Sequence, residues 1–271
     1  FWAQRFNWSE SKKAYVMLGV TGPNEYENNV NNNWYTNYIA RWCIDYCLTI
    51  NAEIGGTNNK LMSEKEIGAF RHIVENVYFP VLEGTSIFLQ QDGFMDKEQL
   101  SVSDLPLNER PINQHWSWDR ILRSIFIKQA DVLQGLYLFE DHFDVETIRA
   151  NFDFYEPKTV HESSLSPCVH VILAAKIGNL AKAYELYLRT SRLDLDDYNH
   201  EADEGLHITS MAGTWMSVVE GLAGVRVHES GLEINPTIPE AWDSYTFRIL
   251  YQTVPLEVSI DKSKVSIKNI G

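Results

Sequence analysis

Two carboxylates, Glu25 and Glu27, lie in a run of amides and turn residues, Gly22-Pro23-Asn24-Glu25-Tyr26-Glu27-Asn28-Asn29, which extends to Asn31, Asn32 and Asn33. Amides and carboxylates beside a Tyr suit the hydroxyl groups of a sugar, and one well-placed carboxyl can act as a general acid. The same composition also suits a turn that caps the following helix, because Asn and Gly-Pro favour turns. Lys128 and Gln129 follow an apolar run ending at Ile127. The lysine either reaches a ligand or lays its stem on apolar surface with its head in water. His161-Glu162-Ser163-Ser164-Leu165-Ser166 puts serines ahead of a helix, where they cap it or where hydroxyls and helix amides hold an anion. Gly205-Leu206-His207 leads to Ser210, Gly213 and Thr214. A close-approach glycine, a histidine and a helix N-terminus suit phosphate. They equally suit a tightly packed helix with a satisfied histidine. No P-loop, dinucleotide fingerprint, zinc motif or G-x-S-x-G elbow is present, and the histidines lack metal-ligand spacing.

These clusters need elements to position them. Apolar spacing of three and four predicts a helix over Trp34–Ile50. Ser63 with Glu66 three residues on is a capping-box signature for a helix ending near Pro80 and Val81. Further helices are expected over Gln129–Asp141, Val145–Phe154, Ser166–Ala175, Leu180–Thr190 and His207–Leu222, with Gly224 as a C-cap. Lys128 would open the first of these. Residues 87–126 read as a long decorated connection between helices. Beyond Gly224 the pattern changes to short alternating runs: Val225–His228, Leu232–Ile234, Tyr245–Gln252, Leu256–Ile260 and Lys264–Lys268. A boundary near residue 224 therefore separates a helical array from the start of an antiparallel β domain.

Composition sets outer limits. The chain has 271 residues, 44% of them hydrophobic and 22% charged, as in ordinary globular proteins. Basic side chains number 23 and acidic ones 37, a formal net charge of −14 that argues against nucleic acid and anionic membrane surfaces as partners. A small anion in a locally positive pocket is still compatible with it. No apolar run is long enough to span a bilayer. Three cysteines make no disulfide framework and fit a reducing cytoplasm. Cys43 and Cys47, four apart, are expected to be small buried hydrophobes rather than a metal or redox pair. The opening Phe1-Trp2-Ala3-Gln4-Arg5 has no signal-peptide pattern and reads as the interior of a longer protein.

The four clusters, in this order, resemble glycoside hydrolase family 65. Gly22-Pro23-Asn24-Glu25-Tyr26, with Asn32-Asn33 and Tyr35-Thr36-Asn37, looks like that family's general-acid motif. Ile127-Lys128-Gln129-Ala130-Asp131 looks like its sugar-binding motif. His161-Glu162-Ser163-Ser164-Leu165-Ser166 and Gly205-Leu206-His207 with Ser210-Met211-Ala212-Gly213 look like its later motifs, including the phosphate site. The resemblance implies a mainly α fold. Residues 1–224 would be the C-terminal half of an (α/α)6 catalytic barrel, and 225–271 the beginning of an antiparallel β jelly-roll domain.

The activity it implies is inverting phosphorolysis of an α-linked glucose disaccharide, with maltose foremost. Trehalose, kojibiose and nigerose are alternative substrates. Glu25 would be the catalytic general acid. Lys128, Gln129, Glu162 and Glu27 would bind sugar, with Glu27 either a sugar contact or a support for Glu25. Ser163, Ser164, Gly205 and His207 would bind phosphate. The resemblance implies no metal, no organic cofactor and a homodimer. An inverting hydrolase of the acid-trehalase type is the competing enzyme, with a base recruited from Glu162 or Glu204, since such an enzyme needs a second carboxylate to activate water. A sugar-binding protein without catalysis and a purely structural helical module are the non-enzymatic alternatives.

Overall fold

The capping box at Ser63 forms as its spacing predicts in the computed structural model, which describes residues 1–54 and 61–271. The chain is mainly helical and ends in antiparallel strands. It divides into two compact units, residues 1–142 with 153–160, and residues 143–152 with 161–271.

The first unit begins with a single helical turn, Trp2–Arg5, and a hairpin, β1 (Asn7–Ser9) against β2 (Ala14–Val16). Two helices follow, α1 (Trp34–Ile54) and α2 (Glu64–Glu75). Phe6, Met17, Ala40, Ile44 and Ile73 close the core between them. Helix α2 stops at Asn76 rather than continuing to Val81. Asn76 Nδ2 donates to the His72 carbonyl at 2.8 Å, and Tyr15 N donates to the Asn76 carbonyl at 2.7 Å. Pairing with β2 thus captures the chain one turn before the proline. Residues 87–126 contain only short pieces, including helices Ile112–His115 and Trp118–Arg123, over a core of Tyr26, Ile112, Trp116, Ile121 and Phe126.

Helix α3 covers Val132–Leu138, shorter than the Gln129–Asp141 that periodicity suggests, so Lys128 does not open it. Asp131 holds the N-cap position without capping α3, because its carboxylate is engaged elsewhere. Gly135 of α3 faces the Trp34 ring so closely that a Cβ would overlap it. Trp34 itself is buried, stacked on Phe88 at 4.7 Å and on Tyr38 at 4.9 Å.

Helix α4 (Val145–Tyr155) gives its residues to Phe152 to the second unit and the rest to the first. The second unit then has α5 (Ser166–Lys176), α6 (Leu180–Ser191) and α7 (Ile208–Met216), the last continuing as π-helical turns over Ser217–Leu222. Every residue of α5 from Ser166 to Ala175 is buried, as an all-round apolar helix requires. Gly213 and Gly221 let α7 and its π extension press onto Cys168 and Val171 of α5.

Strands β3 (Arg226–His228) and β4 (Gly231–Glu233) form one hairpin. Strands β5 (Ser244–Tyr251), β6 (Val254–Asp261) and β7 (Val265–Asn269) form an antiparallel sheet, with Phe247 opposite Val258 and Tyr245 opposite Ile260. Val219, Ala223, Val225, Phe247, Val258 and Ile260 share one core.

Among the described residues no helix is long and apolar enough to cross a membrane. Only Cys168 of the three cysteines is buried. Cys43 is half-buried and Cys47 exposed, because their face of α1 turns outward beside the exposed Trp42–Tyr46 stack.

Candidate active site

The asparagine-rich loop is tied across its base by Val20 and Val30, which exchange backbone hydrogen bonds of 2.9 and 2.8 Å. Asn29 and Asn32 sit at φ 52° and 55°, a left-handed conformation that asparagine tolerates better than most residues. Asn32 Oδ1 accepts from Met17 N at 3.0 Å, and its Nδ2 donates to Asp92 Oδ2 at 2.7 Å. Asn31 Oδ1 accepts from Gly19 N at 3.2 Å. The asparagines therefore answer local backbone demands.

Inside this loop lies a closed network. Asp131, buried just ahead of α3, accepts Asn24 N on Oδ2 at 3.1 Å. Asn33 Nδ2 donates to its Oδ1 at 2.9 Å and its Oδ2 at 3.1 Å. Asn24 Oδ1 accepts Tyr26 N at 3.1 Å and Lys128 N at 3.0 Å, while Asn24 Nδ2 donates to Gln90 Oε1 at 3.3 Å. The N–H groups of both neighbours of Glu25 are thus held, and so is that of Lys128. A Cβ on Gly22 would collide with the Asn33 side chain and Asp131 Oδ2, so this close approach requires glycine. Burial is the largest influence on Asp131 and pushes it up to about 7, against the Asn33 and Asn24 donors. Burial also raises the phenol of Tyr155, whose hydroxyl donates to the Phe88 carbonyl at 2.6 Å.

Glu25 projects from this network with its side chain 57% exposed, and its Oε2 meets Lys128 Nζ at 2.6 Å. Gln129, next in sequence, is only 5% exposed, and its Oε1 is buried without a hydrogen-bond partner among the described residues. A buried acceptor of this kind is costly unless something else satisfies it. Glu27 is buried and ion-paired with Lys97; burial raises its carboxyl, with Lys97 opposing.

In the second unit, Glu162 is buried and Ser163 and Ser164 precede α5. Neither serine caps the helix, whose N-cap position is Leu165. Ser163 Oγ accepts Leu165 N at 3.3 Å, and Ser164 Oγ shares a 2.5 Å hydrogen bond with Thr209 Oγ1. His161 adopts φ 55°, its Nδ1 2.8 Å from Ser166 Oγ, with Arg189 Nη2 donating to its carbonyl at 3.0 Å. The serine segment is thereby pinned at both ends.

Gly205 lies at φ 112°, ψ −162°, a conformation strained for any residue with a Cβ. His207 stands at the N-cap of α7. Asp194 accepts His207 N on Oδ2 at 2.9 Å and lies 2.6 Å from His207 Nδ1 through Oδ1. These bonds hold the Asp194 carboxyl below its usual range. His207 Nε2 is 3.8 Å from Glu201 Oε2. The Ser164–Thr209 contact brings the serine segment to within two residues of His207.

Residues 1–216 match the family described as "Glycosyl hydrolase family 65 central catalytic domain", and residues 225–271 match "Glycosyl hydrolase family 65, C-terminal domain". The chain belongs to glycosyl hydrolase family 65. It is similar to the maltose phosphorylase of Bacillus subtilis, 52% identical over 98% of this chain and 35% of that protein. It is 36% identical to the kojibiose phosphorylase of Halothermothrix orenii over 98% of this chain and 35% of the relative. A solved chain named "Putative kojibiose phosphorylase from human microbiome" superposes with a TM-score of 0.89 at 35% identity, covering 99% of this chain and 40% of that one. The chain thus spans about a third of the length of the curated relatives it matches.

Within this family 65 chain the first unit joins Glu25 and Lys128 directly, with Gln129 adjacent, while Glu27 has its own partner in Lys97. The second unit carries Glu162, Ser163, Ser164, Gly205 and His207. Sequence reasoning named Asp131 and Asn24 only as parts of motifs and gave no role to Gln90, Asp194 or Thr209. A buried acid after Lys-Gln-Ala was the available signal for Asp131. Nothing local marks Asp194, which meets His207 from 13 residues upstream.

Proposed function

We propose that the chain supplies proton-donating, glucose-binding and phosphate-binding residues to an inverting disaccharide phosphorylase that converts maltose and phosphate to β-glucose 1-phosphate and glucose. The observation that carries the reading is Glu25, a solvent-accessible carboxylate on a rigidly held backbone, paired with Lys128. Sugar hydroxyls arriving at Lys128 and at the Gln129 Oε1 would release Glu25 from its ion pair to take up a proton from water, which it then delivers to the glycosidic oxygen as the bond to C1 breaks. A phosphate oxygen then forms the new bond at C1 from the opposite face, so an α-glucoside yields the β-phosphate. Phosphate is already an anionic nucleophile and needs donors rather than a base. Ser163, Ser164 and His207 are donors of that kind, with Gly205 allowing close approach of the backbone, near the start of α7, whose terminal amides favour an anion. Glu162 contacts the leaving glucose, and Glu27 with Lys97 supports the Glu25 loop.

On this reading residues 1–224 form half of an (α/α)6 barrel, and 225–271 open a jelly-roll domain. The homodimeric, cytoplasmic setting belongs to the same reading. Identity to the Bacillus subtilis maltose phosphorylase favours maltose among the disaccharides.

One observation favours a hydrolase instead: Glu201 approaches His207, and a carboxylate there would repel phosphate and suit a water-activating base. The complete protein, given maltose with and without phosphate, separates the two. Consumption of maltose only with phosphate, releasing β-glucose 1-phosphate, is the expected result. Equal glucose release in both tubes identifies a hydrolase.

A further inference from the structure

The buried network behind Glu25 adds to contacts that hold its loop by other means. The Val20–Val30 pairing and the Asn31 and Asn32 side chains already tie the loop to its surroundings. Asp131 does something different. It reaches from the segment that carries Lys128 and Gln129 back into the loop that carries Glu25 and accepts Asn24 N. Asn24 returns the connection, its Oδ1 accepting Lys128 N on one side and Tyr26 N on the other. The two segments, over 100 residues apart in sequence, are locked in register around Glu25 by two backbone N–H groups, of Asn24 and Lys128, and the side chains of Asp131 and Asn24 that accept them. Asn33, at the start of α1, fixes the Asp131 carboxylate through both oxygens, and Gly22 is kept free of a Cβ for the same contact.

We infer that Asp131 is a positioning residue for the general acid: it sets the direction of the Glu25 carboxyl through the Asn24 peptide, without itself touching the substrate. The inference rests on the phosphorylase reading. Misplacement of an acid by a fraction of an ångström weakens proton transfer sharply, because transfer requires hydrogen-bond reach to the leaving oxygen.

The test uses the dependence of the reaction on a proton. With maltose, the departing glucose must be protonated by Glu25. With α-glucosyl fluoride, phosphate attacks C1, the C1–F bond breaks and fluoride leaves with the electron pair, so no proton is required. Asp131→Asn in the complete protein keeps the shape of the side chain. It is expected to lower kcat on maltose about 100-fold, within the range of general acid catalysis. It should change kcat on α-glucosyl fluoride less than about threefold. Asn33 Oδ1 accepts Thr36 N at 2.8 Å and so caps α1, and Asn33→Ser keeps a good N-cap residue while removing one donor to Asp131. It should show the same selectivity with a smaller loss, about tenfold on maltose, and it covers the case in which Asp131→Asn does not fold.

Equal losses on both substrates, in whichever of the variants folds, make Asp131 merely structural and overturn the inference. Full activity of both variants on maltose overturns it as well. Wild-type protein that turns over neither substrate with phosphate overturns the phosphorylase reading itself, a result distinguishable from either of these.

Discussion

Asp131 in the first unit and Asp194 in the second each accept two donors from a segment that carries candidate site residues, yet their carboxyls shift in opposite directions. At Asp131 burial outweighs the Asn33 and Asn24 bonds and raises the carboxyl to about 7. At Asp194 the two His207 bonds outweigh a slight desolvation and lower it. Hydrogen bonds to a carboxylate favour its charge, while removal from water disfavours it, and solvent access decides which wins. The two settings suit two tasks. A buried network without slack holds a carboxyl in one direction. A partly exposed clamp holds His207, the residue proposed above to meet phosphate.

The largest effect that tests this contrast is at Glu25. Replacing Glu25 by Gln should lower kcat on maltose by about 1000-fold through loss of general acid catalysis. Thermal stability should hold, because the side chain is exposed and the network behind it is untouched. A parallel fall in melting temperature would mean that Glu25 belongs to the network after all.

Next is the pH dependence of stability at Asp131. Its folded value, about 7, lies above the ordinary 3.8, so the native state binds the proton more tightly than the unfolded state does. The stabilisation it contributes is fully present below about 3.8 and is lost as pH rises through about 7. Urea midpoints of wild type and Asp131→Asn should therefore diverge between pH 5 and pH 7.5, wild type losing ground at up to about 1.4 kcal/mol per pH unit. A constant difference across that range would show that Asp131 stays charged throughout. Asp194, being lowered, has the opposite sign: its contribution is present above the ordinary carboxylate value and is lost as pH falls through its folded value.

In the second unit the expected effects are smaller and, on the proposed function, specific to phosphate. His207→Ala should raise the KM for phosphate about 10- to 30-fold, corresponding to one charge-assisted hydrogen bond, with the KM for maltose unchanged. A rise in the maltose KM alone would move His207 to the sugar site. Smallest is Thr209→Val, which keeps the volume and removes the partner of Ser164. Loss of one neutral hydrogen bond should raise the phosphate KM about fivefold. No change would show that Ser164 needs no tether.

Much of this was legible in the linear order of residues. The capping box at Ser63, the helix from Trp34, the separate α5 and α6 and the strands after Gly224 follow from local spacing and turn chemistry, which act over a few residues. Glu25, Lys128 and Gln129 stood out because polar types recur at motif spacing. Three readings failed for one reason, that a distant group competed for a local one. Helix α2 stopped early because β2 takes the Asn76 carbonyl. Lys128 failed to open α3 because Asp131 serves Asn24 and Asn33 rather than its own helix. Ser163 and Ser164 left α5 uncapped, with Ser164 bound to Thr209, 45 residues away.

By itself the sequence determined the family and the helical character with its terminal strands, and it singled out the polar residues proposed to carry chemistry, because these depend on residue type and short-range periodicity. Only the tertiary structure decided that Asp131 and Asn24 lock two distant segments around Glu25, that Asp194 clamps His207, and that Glu27 is spent on Lys97. Each of these depends on bonds between residues 13 to 107 apart in the chain, and Asp131 and Glu27 also on desolvation, and neither is encoded in local spacing.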